Sequence, residues 1–395
     1  MKQPVKKRIV AANGISNAKQ INTLIVDGNN LLKISSVDTR MNDRGEVYGA
    51  VITFIRKLGV VLTKKDFDYC IVSWDGMGSG IMRYRLYPDY KANRDKHYEQ
   101  MDARTDYDKY IQNFQRAVLK NRRRTPTVRK ETDEESLERQ KGIIQQILEE
   151  LCVRQQEFDD VEGDDIVAYY VKNRRPNEKI VIMSSDRDMA QFISDNVDIW
   201  NPRLDGLVKA EDSASTLGVT HENVVLEKIL CGDASDNIKG VKGLGEKTLI
   251  NLFPEFVTQK MDLETVVRRS RELLEERKAN KQKPLKVLEN IVNGVTDGCQ
   301  GNRLYEINRK IIDLSEPLLT DEAKEALDDT AYSVMDTSER STKNAYRLIE
   351  DYRMFEMLDE KKFGNILAPY SRIIMMEERR YGEYKEANGR DIKKS

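Results

Sequence analysis

The stretch INTLIVDGN (residues 21–29) decides the fold. Ile21–Val26 is a short, largely apolar run, and it stops at Asp27-Gly28-Asn29, a turn signal. It reads as a buried strand that delivers Asp27 to its carboxyl end. The same pattern recurs along the chain. Phe67–Trp74 (FDYCIVSW) ends in Asp75-Gly76, Ile180–Met183 ends in Ser184-Ser185-Asp186, and Val197–Trp200 ends at Asn201-Pro202. Between the first two runs, Glu46–Leu62 (EVYGAVITFIRKLGVVL) carries apolar residues at helical spacing. Nearly continuous apolar strands alternating with helices predict an α/β domain whose parallel sheet is buried on both faces. In such sheets the ligand site lies beyond the carboxyl ends of the strands. Asp27, Asp75 and Asp186 all fall there.

The chain of 395 residues is 34% charged, above the usual level of about 25%. Its 66 Lys and Arg residues balance 67 Asp and Glu residues, for a net charge of -1. The distribution is less even. Met82–Lys130 holds 14 basic and 6 acidic residues, a net of +8, and the first twenty residues carry Lys2, Lys6, Lys7, Arg8 and Lys19 with no acid. Such segregation suits a polyanion-binding surface beside an acidic, metal-holding site. No apolar run approaches the ~20 residues of a membrane span. Four cysteines (Cys70, Cys152, Cys231, Cys299) without a CxxC pair, and only two histidines, exclude a Cys/His zinc site or a disulfide framework as the expectation. Free thiols and a basic start lacking the apolar core of a signal peptide point to the cytoplasm.

The chain divides into four parts. Residues 1–20 form a flexible basic arm. Residues 21–220 form the α/β core, interrupted at about 83–150 by a charged insertion that suggests a lid, arch or clamp. Residues 221–290 contain the Gly-rich turn GVKGLGEKT (240–248), and residues 291–395 read as charged helices. An amphipathic helix is expected over Leu137–Val153, and no strand is expected beyond His221.

Three further acidic clusters accompany Asp27 and Asp75: Glu162-Gly163-Asp164-Asp165 opening a helix, Asp186-Arg187-Asp188, and Asp233-Ala234-Ser235-Asp236. Taken singly, each has an ordinary explanation, as a helix N-terminus, a cap or a turn. Taken together they place nine carboxylates on one plausible edge. Converging carboxylates cannot all ionise without compensation. Oxygen-only donors select hard ions such as Mg²⁺ or Mn²⁺. More carboxylates than one ion can use implies two, and a pair about 3.5–4 Å apart suits phosphodiester cleavage.

With these residues in view, the chain resembles the 5′-nuclease or flap endonuclease family, PIN-like enzymes, and most of all the phage-encoded RNase H and 5′→3′ exonuclease members. The resemblance rests on LIVDGNNLL (24–32), IVSWDG (71–76), YPDYKANRD (87–95), VEGDDIVA (161–168), SSDRDMAQF (184–192) and GDASDNIKGVKGLGEKT (232–248), in order, across roughly residues 21–255. It implies a PIN-like parallel-sheet nuclease core with a helical arch insertion, a helix-three-turn-helix module and an α-helical C-terminal extension. By motif position, Asp27, Asp75, Glu162 and Asp164 would surround one Mg²⁺ or Mn²⁺, and Asp186, Asp188, Asp233 and Asp236 the other. Asp165 would be an outer or bridging acid. Lys91 and Arg94, one helical turn apart, would face the scissile phosphate, and Tyr90 would stack on a base. Arg83 and Arg85 are further candidates for substrate contact. Gly240, Gly243, Gly245, Lys247 and Thr248 would grip a duplex backbone, with a K⁺ ion at the turn. Ala92 replaces the glycine of the family's arch motif.

The implied activity is removal of RNA primers and flaps during DNA replication by a monomer. Its implied partners are DNA and RNA–DNA duplexes with 5′ ends, and replication proteins such as a single-strand-binding protein or clamp. Two other readings compete. One is a PIN-type ribonuclease of single-stranded RNA, which would need neither the insertion nor the Gly-rich module. The other is a non-catalytic nucleic-acid-binding protein on a nuclease core, which predicts lost carboxylates.

Overall fold

The computed structural model describes residues 19–92, 132–296 and 301–392. Six strands form its central sheet: β1 (Ile21–Asp27), β2 (Tyr69–Asp75), β3 (Arg154–Phe158), β4 (Glu178–Met183), β5 (Val197–Asn201) and β6 (Gly206–Val208). Their order is β3-β2-β1-β4-β5-β6, parallel except for β6 against β5. The register sets Ile25 beside Ile71 and Ile182, and Leu24 beside Cys70 and Val181. Period-2 alternation then sends Leu24, Val26, Val72 and Met183 to one face and Ile25, Ile71 and Ile182 to the other, all fully buried. This is why the strands read as unbroken apolar runs.

The helices of the core are α1 (Gly28–Ser35), α2 (Gly49–Leu62), α3 (Ile81–Leu86), α4 (Asp133–Glu150), α5 (Gly163–Lys172), α6 (Ser213–Leu217), α7 (Val224–Cys231) and α8 (Glu246–Leu252). Residues of α1, α2 and α4 cover the Leu24 face, and those of α5 and α7 the Ile25 face. Helix α4 starts on a capping box: the Thr132 hydroxyl accepts from Glu135 N, and the Glu135 carboxylate accepts from Thr132 N.

Three expectations need correction. No strand is placed between Trp74 and Ile180 by the sequence, yet Arg154–Phe158 forms β3. Its sequence RQQEF is polar because β3 is an edge strand, open on one side. The region beyond His221 is not wholly helical either. Residues Gly232–Asp233 and Ile238–Lys239 pair as an antiparallel ladder, β7 and β8, which folds the second acidic turn back on itself. Finally, Tyr87–Ala92 does not continue a helix: α3 ends at Leu86, and Lys91 sits in a turn with φ +55°. The expected basic arm falls largely on residues outside those described, as does most of the +8 segment.

The C-terminal helices are α9 (Leu263–Ala279), α10 (Lys286–Asn293), α11 (Asn302–Ile312), α12 (Asp321–Thr330), α13 (Thr342–Asp351), α14 (Glu360–Leu367) and α15 (Ser371–Ile392). They complete the core on both sides. Leu304, Ile311 and Leu327 join the Ile25 face, and Ile349, Phe363 and Tyr370 the Leu24 face. Asn308 Nδ2 donates to the carbonyls of Ile229 and Lys239, and the Tyr370 hydroxyl to that of Ile55. Helix α15 is fastened to the β2–β3 edge by Glu377, fully buried between Arg154 at 2.8 Å and Arg380 at 2.7 Å. Both guanidiniums lie against the Tyr69 ring. Removing the carboxylate leaves the buried Arg154 and the half-buried Arg380 without their counter-charge, so Glu377→Ala should lower unfolding free energy by about 3 kcal/mol in chemical denaturation.

Candidate metal-dependent active site

The carboxyl ends of β1, β2 and β4 bring the first acidic group together. Asp27 leaves β1 and caps α1, its Oδ1 accepting from Asn30 N at 3.0 Å, while Ser184 Oγ donates to its Oδ2 at 2.9 Å. Asp75 leaves β2 and accepts from Gly163 N at 2.7 Å and from the Asn29 amide. Asn30 in turn accepts from Ser185 N and Oγ, tying α1 to the end of β4. Glu162 and Asp164 stand at the start of α5, pointing back toward the same edge.

The electrostatics show how close these groups are. Burial, reinforced by Asp75 and Asp186, pushes the Asp27 carboxyl up to about 7. Asp164 is driven well above the ordinary range by burial and by Asp27, Asp186, Asp75 and Glu162. Glu162 is the exception. Burial acts to raise it, but Arg83 and Lys91 outweigh that and hold it below its usual value.

The second group lies on the Ile25 side of the edge. Asp186 caps the 3-10 turn Arg187–Phe192, accepting from Asp188 N at 2.9 Å. Asp188, Asp233 and Asp236 each offer a carboxylate oxygen within 4.8 Å of the others. Burial raises Asp188 to about 6 against the pull of Lys228. Asp233 falls to about 2, because Lys228 and two hydrogen bonds from Ser235 outweigh its burial.

Tyr90 joins the two groups. Its hydroxyl lies 3.2 Å from Glu162 Oε2 and 3.3 Å from Asp236 Oδ2. The turn that carries it is clipped to the second acidic turn, with Lys91 N donating to the Asp236 carbonyl at 2.9 Å and Asn237 Nδ2 to the Asp89 carbonyl at 2.8 Å.

Several expected residues take other places. Arg83, expected on the substrate, is buried instead. It reaches Glu162 at 2.5 Å, grips Asp165 through both terminal nitrogens, and donates to the Ile311 carbonyl. Asp165 faces Arg83 and Leu318 N rather than the open edge. Tyr90, expected to stack on a base, is 7% exposed and turned inward. Lys91 pairs with Glu162 while keeping part of its side chain at the surface. Arg85 is exposed on α3, and Arg94 lies outside the described residues.

In the Gly-rich turn, Gly243, Gly245 and Lys247 are exposed and Thr248 partly so. Gly243 has φ +81°, and a Cβ on Gly240 would meet the Cys231 backbone at 2.1 Å. The turn is backed by Lys242, whose N–H donates to Val295 and whose carbonyl accepts from Asn290 Nδ2. One site residue escaped the sequence reading: Lys228, on α7, whose ammonium pairs with Asp188 and lies 2.6 Å from Asp233. The available signal was a lysine amid the apolar residues of VVLEKILC, five residues before Asp233.

Residues 22–229 match the model of the 5′-3′ exonuclease N-terminal resolvase-like domain. The chain belongs to this family. DNA polymerase I of Thermus caldophilus is 28% identical over 236 residues, which are 59% of this chain and 24% of the polymerase. The 5′-3′ exonuclease of Aquifex aeolicus is 26% identical over 235 residues, 59% of this chain and 68% of that one. The chain thus spans about a quarter of the length of the polymerase it matches. Among solved structures, the zinc-bound T5 5′-exonuclease superposes with a TM-score of 0.52 at 19% identity, covering 85% of this chain and 99% of that one. The bacteriophage T5 D15 flap endonuclease, in complex with DNA and metal ions, gives 0.50 at 18% identity. These two establish a shared fold.

The donor set fits a hard divalent cation. It is all oxygen, it converges, and two of its members are raised above the ordinary carboxyl range by burial and by their acidic neighbours. Folded Asp27 and Asp188 bind protons that the unfolded chain, at 3.8, has released. Their contribution to stability is therefore present below that value and is lost as pH rises through 6 and 7. Cation binding displaces those protons. The rise in Tm produced by Mn²⁺ should be larger at about pH 8 than at about pH 5, and calorimetry in two buffers near pH 6 should record proton release. Equal shifts at both pH values would remove these acids from the cation site.

Proposed function

We propose that this chain is a divalent-metal-dependent 5′-nuclease that hydrolyses phosphodiester bonds near 5′ ends, as a 5′→3′ exonuclease, a flap endonuclease or both. Its substrates are DNA and RNA–DNA duplexes with a free or flapped 5′ end, and its role is removal of RNA primers and flaps in replication. The observation that carries this reading is the convergence of eight acids (Asp27, Asp75, Glu162, Asp164, Asp186, Asp188, Asp233 and Asp236) on one strand-end edge. Two Mg²⁺ or Mn²⁺ ions divided between the two groups would supply an activated water and neutralise the leaving oxygen.

The chain's own residues do the rest. Asp27, Asp75 and Asp164 would hold a cation, while Arg83 holds Glu162 at its post from the buried side. Lys91 stands on Glu162 with its side chain partly exposed, where a phosphate approaching the first group would gain a charge-assisted hydrogen bond. The exposed Gly243, Gly245 and Lys247 would offer a duplex backbone a grip, with K⁺ as a candidate ion there.

These roles separate in experiment. With 5′-labelled DNA flap, RNA–DNA hybrid and single-stranded RNA in Mg²⁺, the wild type should release short 5′ products from the first two, and Asp186→Ala should reduce cleavage to background while binding persists. Lys91→Ala should slow single-turnover cleavage by about 10²-fold with little loss of affinity. Lys247→Ala should weaken binding and lower the salt slope by about 1. Cleavage of single-stranded RNA alone, or full cleavage by Asp186→Ala, would refute the assignment.

A further inference from the structure

We infer that Lys228 is a resident cation of the second carboxylate group: it holds Asp188 and Asp233 together when no ion is bound, and it weakens the binding of a divalent ion there. The inference rests on the metal-dependent reading above and adds a residue to it.

Burial sets the requirement for a counter-charge. The Lys228 side chain is 10% exposed, on the last turn of a helix whose Ile229 and Leu230 pack into the core. An ammonium withdrawn from water is tolerated only with close counter-charges. Lys228 has two, Asp188 and Asp233, at 20% and 9% side-chain exposure. Both belong to the three-carboxylate group whose oxygens lie within 4.8 Å of one another. The neighbouring Glu227 pairs with Arg187 at 3.0 Å and forms no ion pair with Lys228.

The first group is arranged differently. Its ion pairs, to Arg83 and Lys91, fall on Glu162 and Asp165. Among the described residues, Asp27, Asp75 and Asp164 form no ion pair, and hydrogen bonds reach Asp27 and Asp75. The two groups therefore meet an incoming cation in different states. In the second, a divalent ion must share Asp188 and Asp233 with an ammonium or displace it. Either course opposes binding, since like charges a few ångströms apart repel strongly in a partly buried site. In return the ion-free site is spared the repulsion of three bare carboxylates.

The test is Mn²⁺ binding to the full chain, followed by the electron paramagnetic resonance signal of free Mn²⁺, together with thermal unfolding in chelator and in saturating Mn²⁺. Lys228→Met should tighten one class of Mn²⁺ site by about tenfold or more. It should also lower Tm in chelator and enlarge the rise on adding Mn²⁺. Lys228→Arg, which keeps the charge, should stay near the wild-type isotherm. In an Asp188→Asn background the tightening should shrink. If Lys228→Met fails to fold, Lys228→Gln, which removes the charge but keeps hydrogen-bond donors, carries the same comparison. An unchanged or weakened Mn²⁺ isotherm in the neutral variant would overturn the inference while leaving the metal reading intact. A wild type that binds no Mn²⁺ would instead overturn the reading, and this inference with it.

Discussion

Repulsion among carboxylates is the constraint around which this molecule is organised. Strand ends, a helix start and a short antiparallel ladder bring eight acids to one edge of the sheet, and each acid costs its neighbours stability. The chain meets that cost in three ways. Asp27 and Asp164 hold their protons to higher pH than an ordinary carboxyl. Asp75 and Asp186 accept hydrogen bonds from backbone amides. Glu162, Asp188 and Asp233 receive buried or half-buried cations. Protons and side-chain cations can be displaced by an ion, whereas the backbone amides keep the carboxylates aimed throughout.

Arg83 shows how far this constraint reaches. From α3 it neutralises Glu162 and Asp165 on α5 and also bonds to the Ile311 carbonyl at the end of α11. Asp165 in turn receives Leu318 N. One buried guanidinium thus fixes the relative positions of the insertion's first helix, the acidic helix and the C-terminal helices. This gives a physical reason for the C-terminal helices to belong to the core. They supply backbone partners to Arg83 and Asp165, as well as apolar cover for both sheet faces.

The legible part of this fold is the part governed by local rules. β1, β2, β4 and β5 announce themselves because strands buried on both faces are continuous apolar runs, and Asp27, Asp75 and Asp186 because each follows such a run. The edge strand β3 does not, since half its surroundings are solvent and its residues are Arg154, Gln155, Gln156, Glu157 and Phe158. Arg83 and Tyr90 read as surface residues because an arginine and a tyrosine near a basic stretch usually are. Their inward orientation depends on Glu162, Asp165 and Asp236, which lie 72 to 146 residues away in the chain. Lys228 was hidden for the same reason. A charge that satisfies a distant charge leaves no periodic trace in its own helix.

The placement of Lys91 follows from the same long-range bonds. Its motif spacing suggests a helix face, yet its backbone is pinned in a left-handed turn by the Asp236 carbonyl, and its ammonium rests on Glu162. The base of the insertion is thereby fastened to both carboxylate groups at once, through Lys91, Tyr90 and the Asn237–Asp89 bond. A cation entering either group changes the charge that these contacts answer. The position of Lys91 is therefore set by acids of both groups at once.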